Sequence, residues 1–281
     1  MPGILILCAG PIGNLSDAPP RLAEALSSAA IVYSEDTRRA RILLDHLGVT
    51  TPTRSYFAGN EKDRSIEIAE RLSEGETVAL LTDAGTPGIS DPGLTAVRAA
   101  IEVDATITGV PGPSAVTLAV AVSGLVSDRF VFEGFVPRRG RDRSERFADI
   151  ALEERPVVLF LAPNRLGDDL TDLAAAHDRD RDVVVCREMT KLHEEVWRGT
   201  LEEAATHWAN RDVRGEVTVV LGPQDATEPD FDQAVEMTHA LIEGGSTPSS
   251  AVREISEVYG VSRRELYETV IHDGRPATGD G

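Results

Sequence analysis

Thr82-Asp83-Ala84-Gly85-Thr86-Pro87-Gly88-Ile89-Ser90-Asp91-Pro92-Gly93 follows the apolar run Val78-Ala79-Leu80-Leu81 and precedes a segment with helical spacing. The run reads as a buried strand. Asp91-Pro92 reads as the start of the next helix, with Asp91 as cap and Pro92 at the favoured first position. Capping accounts for only those two residues. Glycines, prolines and acids packed into so short a connection describe a rigid concave turn at the carboxyl edge of a sheet, where open α/β sheets bind small molecules.

The same alternation extends on both sides of this turn. Ile4 to Leu7 is a continuous apolar run, the pattern of a strand covered on both faces, and Gly10-Pro11-Ile12-Gly13-Asn14 ends it. Pro19-Pro20 opens a helix with Leu22, Ala25, Leu26 and Ala29 on one face. Ala30 to Tyr33 is the next strand, delivering Ser34 to Arg38 to its carboxyl end, and the helix through Leu43, Leu44 and Leu47 stops at Gly48. A helix carrying Ile66, Ala69 and Leu72 leads into the Val78 strand, and Ala105 to Thr108 forms another strand before Gly109 to Ser114. Strands alternating with helices predict a mainly parallel sheet.

A second alternating set begins after Ser123 to Asp128, which has linker composition. Its strands are Phe130 to Phe135, Val157 to Leu161, Val183 to Cys186 and Val217 to Leu221, with a capping box at Thr200-Leu201-Glu202-Glu203. Beyond Gly222-Pro223, an acidic stretch leads to a helical tail with a second capping box at Ser262 to Glu265, the outline of a helix-turn-helix or of any small helical hairpin. The expected organisation is an α/β domain over residues 1–122, a second over 123–224 and a small helical module over 225–281.

The 281-residue chain has 47 acidic against 28 basic side chains, a net charge of −19. Its average surface repels nucleic acid and anionic lipid, so any RNA contact needs locally concentrated positive charge. Arg138-Arg139-Gly140-Arg141-Asp142-Arg143-Ser144-Glu145-Arg146 supplies one such cluster, Arg38, Arg39 and Arg41 a second, and Arg263-Arg264 a third. Cys8 and Cys186 each lie in an apolar run and read as buried hydrophobes, which fits a reducing cytoplasm. The apolar run Gly3 to Ala9 is too short for a membrane span and reads as a strand of a soluble protein without a membrane partner.

Gly10-Pro11-Ile12-Gly13 has neither the third glycine of a dinucleotide fingerprint nor the ending of a P-loop, and Pro11 removes a donor from any phosphate cradle. The histidines at 46, 177, 193, 207, 239 and 272 have no metal-ligand spacing, and no zinc or other metal site is expected. There is no Gly-x-Ser-x-Gly elbow. What remains are small, proline-stiffened loops rich in oxygen acceptors: 10–14, 34–38, 83–93, 109–115 and Arg187 to Lys191. They suit a neutral or cationic metabolite better than a polyphosphate.

Pro11-Ile12-Gly13-Asn14-Leu15, Glu35-Asp36-Thr37-Arg38, Asn60-Glu61, Asp83 to Gly93 and Pro111 to Ala115 occur in that order. They are followed by Ser127 to Phe130, Glu133-Gly134-Phe135, Arg187 to Lys191 and Arg214 to Val217. In this joint order the chain resembles the tetrapyrrole methylase superfamily, and within it the branch that methylates a ribose 2′-hydroxyl of a cytidine in 16S rRNA. The resemblance implies S-adenosylmethionine in a cleft between two α/β domains, the 30S subunit as substrate and a homodimer. The cleft walls would be Pro11, Gly85, Thr86, Ile89, Ser114 and Ala115, with Leu161, Met189 and Val217 from the second half. Glu35, Asp36 and Arg38 would face the substrate, together with Asn60, Glu61, Arg138, Arg139 and Arg141.

A ribose hydroxyl is a weak acid and needs a proton acceptor as it attacks. Glu35, Asp36 and Asp83 are candidates, and Lys191 becomes one if burial lowers its pKa. The family usually has histidines where this chain has Tyr56-Phe57-Ala58-Gly59, and an acid where it has Leu161-Ala162-Pro163-Asn164-Arg165. Those departures keep two alternatives open: methylation of a corrinoid or porphyrin precursor, and a non-catalytic ribosome-assembly factor.

Overall fold

The computed structural model describes residues 2–176, 179–224 and 231–273. The chain divides into two compact units, Met1–Gln224 and Asp225–Gly281.

The first unit opens with β1 (Ile4–Cys8), α1 (Pro20–Ser28), β2 (Ile31–Ser34), α2 (Thr37–Leu47), β3 (Thr53–Ser55), α3 (Glu61–Ser73), β4 (Thr77–Leu81), α4 (Leu94–Glu102) and β5 (Thr106–Val110). The strands form one parallel sheet in the order β3-β2-β4-β1-β5. Period-two alternation divides its central strands between two cores. Ile6, Cys8, Ala79 and Leu81 face Leu22, Leu26, Leu43 and Leu44 of α1 and α2. Leu5, Val78 and Leu80 face Ile68, Leu72, Ala96 and Ala100 of α3 and α4. Each fully buried leucine contributes about 2–3 kcal/mol by leaving water. Burial also pushes the Cys8 thiol up to about 12, so it behaves as a hydrophobe.

Three details differ from the sequence reading. Ile66 is 62% exposed, because the buried stripe of α3 runs through Ser65, Ile68 and Leu72. The short polar strand β3 pairs at the sheet edge, where no apolar pattern is required. Helix α4 begins at Leu94, not at Asp91-Pro92. Its N-cap is Gly93, at φ 157°, where the chain folds so closely on Gly88 that a Cβ would lie 2.8 Å from the Gly88 nitrogen.

The second sheet comprises β6 (Val131–Phe135), β7 (Val157–Leu161), β8 (Asp182–Arg187), β9 (Glu195–Thr200) and β10 (Val217–Leu221). It is reached through α5 (Ala115–Ser123) and carries α6 (Arg141–Ala151), α7 (Leu166–Ala176) and α8 (Leu201–Trp208). Its order is β6-β7-β10-β8-β9, and only the β6–β7 pair is parallel. The alternating pattern did not reveal this, because β8 and β9 are joined without a helix and such a pair closes as an antiparallel hairpin. Helices α6, α7 and α8 cover one face through Phe147, Leu170, Leu173 and Trp208. Helix α5 lies on the other through Val116 and Ala119. Buried Arg181 donates to the carbonyls of Gly222 at 2.9 Å and of Glu153 and Arg155 at 3.2 Å, and burial draws its pKa down to about 10.

In the second unit, α9 (Phe231–Glu243), α10 (Pro248–Tyr259) and α11 (Arg263–Asp273) share a core of Ala234, Val252, Ile255, Leu266 and Val270. Helix α10 starts with Thr247 capping and Pro248 at its first position, and it stops at left-handed Gly260. The hydroxyl of Ser262 accepts from the Glu265 amide at 3.4 Å, as its place before α11 predicts. The acidic residues 225–230 lie outside the described residues.

Candidate active site

The carboxyl ends of β1, β2, β4 and β5 bring the loops 10–14, 34–38, 82–93 and 111–115 to one edge of the first sheet. Two of these loops are tied together: the Gly10 amide donates to the Gly85 carbonyl at 2.9 Å, and the Gly85 amide to Gly10 at 3.3 Å. Gly85 sits at φ +71°, a conformation that favours glycine. The Thr82 hydroxyl donates to the carbonyls of Ala84 and Gly85, bracing the start of the same turn.

Between this edge and the second sheet lies a cavity of about 350 Å³. Ile12, Gly85, Thr86, Ile89, Asp91, Ser114 and Ala115 line it from one side, and Phe135, Phe160, Leu161, Glu216 and Val217 from the other. Ser90 reaches across at φ +59° to the bulge in β6, where the register shifts between Phe132 and Gly134. Strained backbone of this kind persists only where its surroundings hold it. The volume and apolar walls suit a nucleoside-sized metabolite.

Seven of the residues expected in a cofactor cleft line the cavity: Gly85, Thr86, Ile89, Ser114, Ala115, Leu161 and Val217. Two do not. Pro11 lines a separate depression of about 190 Å³ together with Gly13, Arg39 and Asp83, because successive residues of an extended loop face opposite sides and Ile12 takes the cavity side. Met189 is buried in the apolar layer around α5.

The acidic candidates differ in their commitments. Asp36 caps α2 by accepting from the Arg38 amide at 2.8 Å and pairs with the Arg38 guanidinium at 2.7 Å, which holds its carboxyl well below the usual range. Asp83 accepts from the Asp36 amide at 2.9 Å and faces Arg39 at 3.4 Å. Glu35 is raised above its ordinary pKa, first by burial and then by Asp83, with Arg39 opposing.

Burial does not free Lys191 as a base. It works to lower the pKa, but hydrogen bonds to Glu188 at 2.7 Å and Glu216 at 3.0 Å outweigh it, and the net shift is upward. The stem of Lys191 lies over Gly13, where a Cβ would come within 2.5 Å of it.

Asp91, read from sequence as a cap, instead lines the cavity, and it has no hydrogen-bond or ion-pair partner among the described residues. Burial, followed by the negative charges of Glu35, Asp83 and Glu216, pushes its carboxyl up to about 7. The signal was present in the sequence, since Asp91 belongs to the same loop as Gly85 and Thr86, but the helix-start reading accounted for it too readily. Phe135 and Phe160 were missed as well, because a strand residue's exposure toward a cavity has no sequence mark of its own.

The substrate-side candidates are scattered. Arg38 is spent on Asp36 although its side chain is 90% exposed. Asn60 accepts from the Phe57 amide at 2.8 Å and Glu61 opens α3, so both have local structural duties. Within the arginine-rich segment, Arg143 pairs with buried Asp169 at 2.7 Å, Arg146 with Glu133 and Arg141 with Glu145. Arg138 and Arg139 are exposed and have no ion pair among the described residues. The Arg138 carbonyl is pinned by the Arg165 guanidinium at 2.7 Å. Tyr56, at the histidine-lacking site, is a core residue whose hydroxyl meets Thr95 at 2.6 Å. Among the described residues no group of three or more His, Cys, Asp or Glu is arranged for a metal, and no helix is long and apolar enough to cross a membrane.

The sequence profile of the tetrapyrrole (corrin/porphyrin) methylases matches residues 5–205. Proteins named ribosomal RNA small subunit methyltransferase I are similar over nearly the whole chain. That of Synechocystis sp. is 40% identical, covering 95% of this chain and 96% of its own. That of Mycobacterium tuberculosis is 40% identical, covering 99% and 98%. That of Thermotoga maritima is 43% identical and is matched over 100% of its length by 79% of this chain. Among solved structures, diphthine synthase has a TM-score of 0.59 at 19% identity, covering 78% of this chain and 89% of its own. Thermus thermophilus uroporphyrin-III C-methyltransferase, in complex with S-adenyl homocysteine, has a TM-score of 0.55 at 18% identity, covering 78% and 97%. These two share the fold. With two thirds of its length matched by the profile and relatives at 40% identity end to end, the chain belongs to the tetrapyrrole methylases, in the ribosomal RNA small subunit methyltransferase I group.

Proposed function

We propose that the protein transfers the methyl group of S-adenosylmethionine to the ribose 2′-hydroxyl of a cytidine in 16S rRNA, acting on the 30S subunit in the cytoplasm. The observation that carries this reading is 40% identity across nearly full length to relatives named for ribosomal RNA methylation, joined to a cavity built from the loops that the family resemblance singled out. The corrinoid alternative draws on the breadth of the family profile and on fold neighbours at 16–19% identity, and it has no relative of comparable similarity among those compared.

The residues present suit the cofactor. Ile12, Ile89, Leu161 and Val217 offer apolar walls, the turns at Gly85-Thr86 and Ser114-Ala115 offer backbone polar groups, and Asp91 offers an uncompensated carboxyl to a cation. S-adenosylmethionine, when bound, supplies a methyl group on a positively charged sulfur. The protein's part is then to align the hydroxyl, a positioning effect worth up to about 7–11 kcal/mol in well-oriented reactions, and to receive its proton. Glu35 is the least committed of the expected acids for that proton: Asp36 is held ionised by Arg38 and Asp83 is engaged by Arg39 and the Asp36 amide.

Arg138 and Arg139 serve as phosphate contacts, and the helical unit beyond Gln224 helps to hold the large substrate through Arg263 and Arg264. A homodimer is supported by α5, most of whose residues are apolar. Its half-exposed Leu118, Val120 and Val122 adjoin Phe130 and Val196 in one continuous apolar layer.

The test is mass-spectrometric mapping of ribose methylation in 16S rRNA from cells with and without the gene, followed by restoration with purified protein and S-adenosylmethionine. Loss of one methylated cytidine, restored in vitro, is expected. An unchanged methylation map would refute the reading.

A further inference from the structure

Of the two carboxylates on the cavity wall, Glu216 is paired with Lys191 at 3.0 Å, whereas Asp91 has no hydrogen-bond or ion-pair partner among the described residues. Its place is set by the backbone, with Ser90 left-handed on one side and Gly93 folded onto Gly88 on the other. The charged groups that act on it are acids: Asp83 from its own turn, Glu35 after β2 and Glu216 before β10. The cations of this region are engaged elsewhere, Arg39 with Asp83 and Lys191 with Glu188 and Glu216. A half-buried carboxyl surrounded by like charge, on the wall of an otherwise largely apolar cavity, is matched to a ligand that brings its own positive charge.

We propose that Asp91 is a specificity-determining residue that makes the cavity select by ligand charge, ionising as counter-ion to the sulfonium donor and taking a proton when the ligand is the neutral thioether. The inference rests on the reading that this cavity holds S-adenosylmethionine. Donor and product differ by one methyl group and one unit of charge, so contacts with the shared nucleoside and amino-acid parts cannot separate them strongly. A carboxyl that titrates with the ligand does separate them, and it weakens product binding without any movement of the chain.

Linkage gives the expected signature. In the ligand-free protein the Asp91 carboxyl is pushed up to about 7. Below that pH a cationic ligand must expel a proton to bind, and its affinity therefore rises with pH and levels off above about 7. Calorimetric titration of the full-length protein with S-adenosylmethionine and with S-adenosylhomocysteine, from pH 5.5 to 8.5 in two buffers of different ionisation enthalpy, reads both affinity and protons released. For the donor, wild-type affinity should rise about 20-fold from pH 5.5 to 7.5, with proton release at the acidic end. For the product it should instead fall about 4-fold over the same range, with proton uptake at the alkaline end.

Asp91→Asn should flatten the donor curve and bring the two affinities together, and Asp91→Glu should restore the separation. Donor affinity independent of pH in the wild type, or an unaltered slope in Asp91→Asn, would overturn the inference while leaving the cofactor reading intact. If neither ligand binds the wild-type protein at millimolar concentration, the cofactor reading fails and the inference fails with it.

Discussion

The hydroxyl of Ser90 occupies the space that a side chain on Gly134 would need, since a Cβ at position 134 would lie 2.9 Å from Ser90 Oγ. Both residues are left-handed, at φ +59° and +64°. The contact seats the turn after β4 in the bulge of β6, and this closes the cavity between the two sheets. Gly134→Ala therefore meets a steric clash and a left-handed penalty together, about 1–3 kcal/mol in all. A lowered melting temperature is expected, with S-adenosylmethionine affinity several-fold weaker in titrations at temperatures where the variant remains folded. Unchanged affinity would show that the turn keeps its place without the bulge.

The same turn sets a stability relationship for Asp91. Its carboxyl rises from an ordinary 3.8 to about 7 on folding, so between those values the ligand-free folded protein holds a proton that the unfolded chain has released. Stability contributed by this group is full below about pH 4 and is lost as pH rises through 7. Asp91→Asn should leave the melting temperature unchanged near pH 4 and raise stability at pH 8 by about 1–3 kcal/mol, allowing for solvent screening. A variant less stable than wild type at pH 8 would mean that Asp91 has a structural partner.

Lys191 is bound by two carboxylates and its pKa is raised, so it is protonated at neutral pH and is a poor proton acceptor. Its ion pairs should contribute stability below about pH 10.5 that fades at higher pH, in all about 1 kcal/mol. Lys191→Met keeps the stem over Gly13 and removes the charge. Methylation of 30S subunits is expected to stay within about tenfold of wild type, with no change in the alkaline limb of the pH–rate profile. A loss beyond a hundredfold with cofactor binding intact would return Lys191 to the list of bases.

Arg138 and Arg139 are the unpaired exposed arginines of the segment that also holds Arg141, Arg143 and Arg146. Replacing both by Gln should weaken binding to 30S subunits and reduce the slope of log affinity against log salt by about 1.5, while sparing S-adenosylmethionine binding. Arg143→Gln, by contrast, removes the nearer of the two arginines that pair with buried Asp169, leaving Arg165 at 3.9 Å, and should act on stability, lowering the melting temperature more than it alters the salt slope. Equal salt slopes for the wild type and the double variant would remove these two residues from the RNA contact.

Apolar runs determined the strands of both sheets wherever those strands are buried on both sides, because β1, β4, β7 and β10 have no freedom to carry polar side chains. Local chemistry likewise determined the stops and caps, such as Gly48 after α2 and Thr200 before α8. Pairing direction in the second sheet was a tertiary matter: the edge strands β3 and β9 are half-exposed, so nothing in their composition marks them. The site divides in the same way. Gly85, Thr86, Ser114 and Ala115 were legible because tight turns demand particular residues, while the states of Asp91 and Lys191 were decided by neighbours remote in the chain. Asp91 meets only acids, from Glu35 to Glu216, and Lys191 meets two carboxylates that neutralise it. Charge acts through space with little regard for sequence separation, and only the folded arrangement shows which groups face one another.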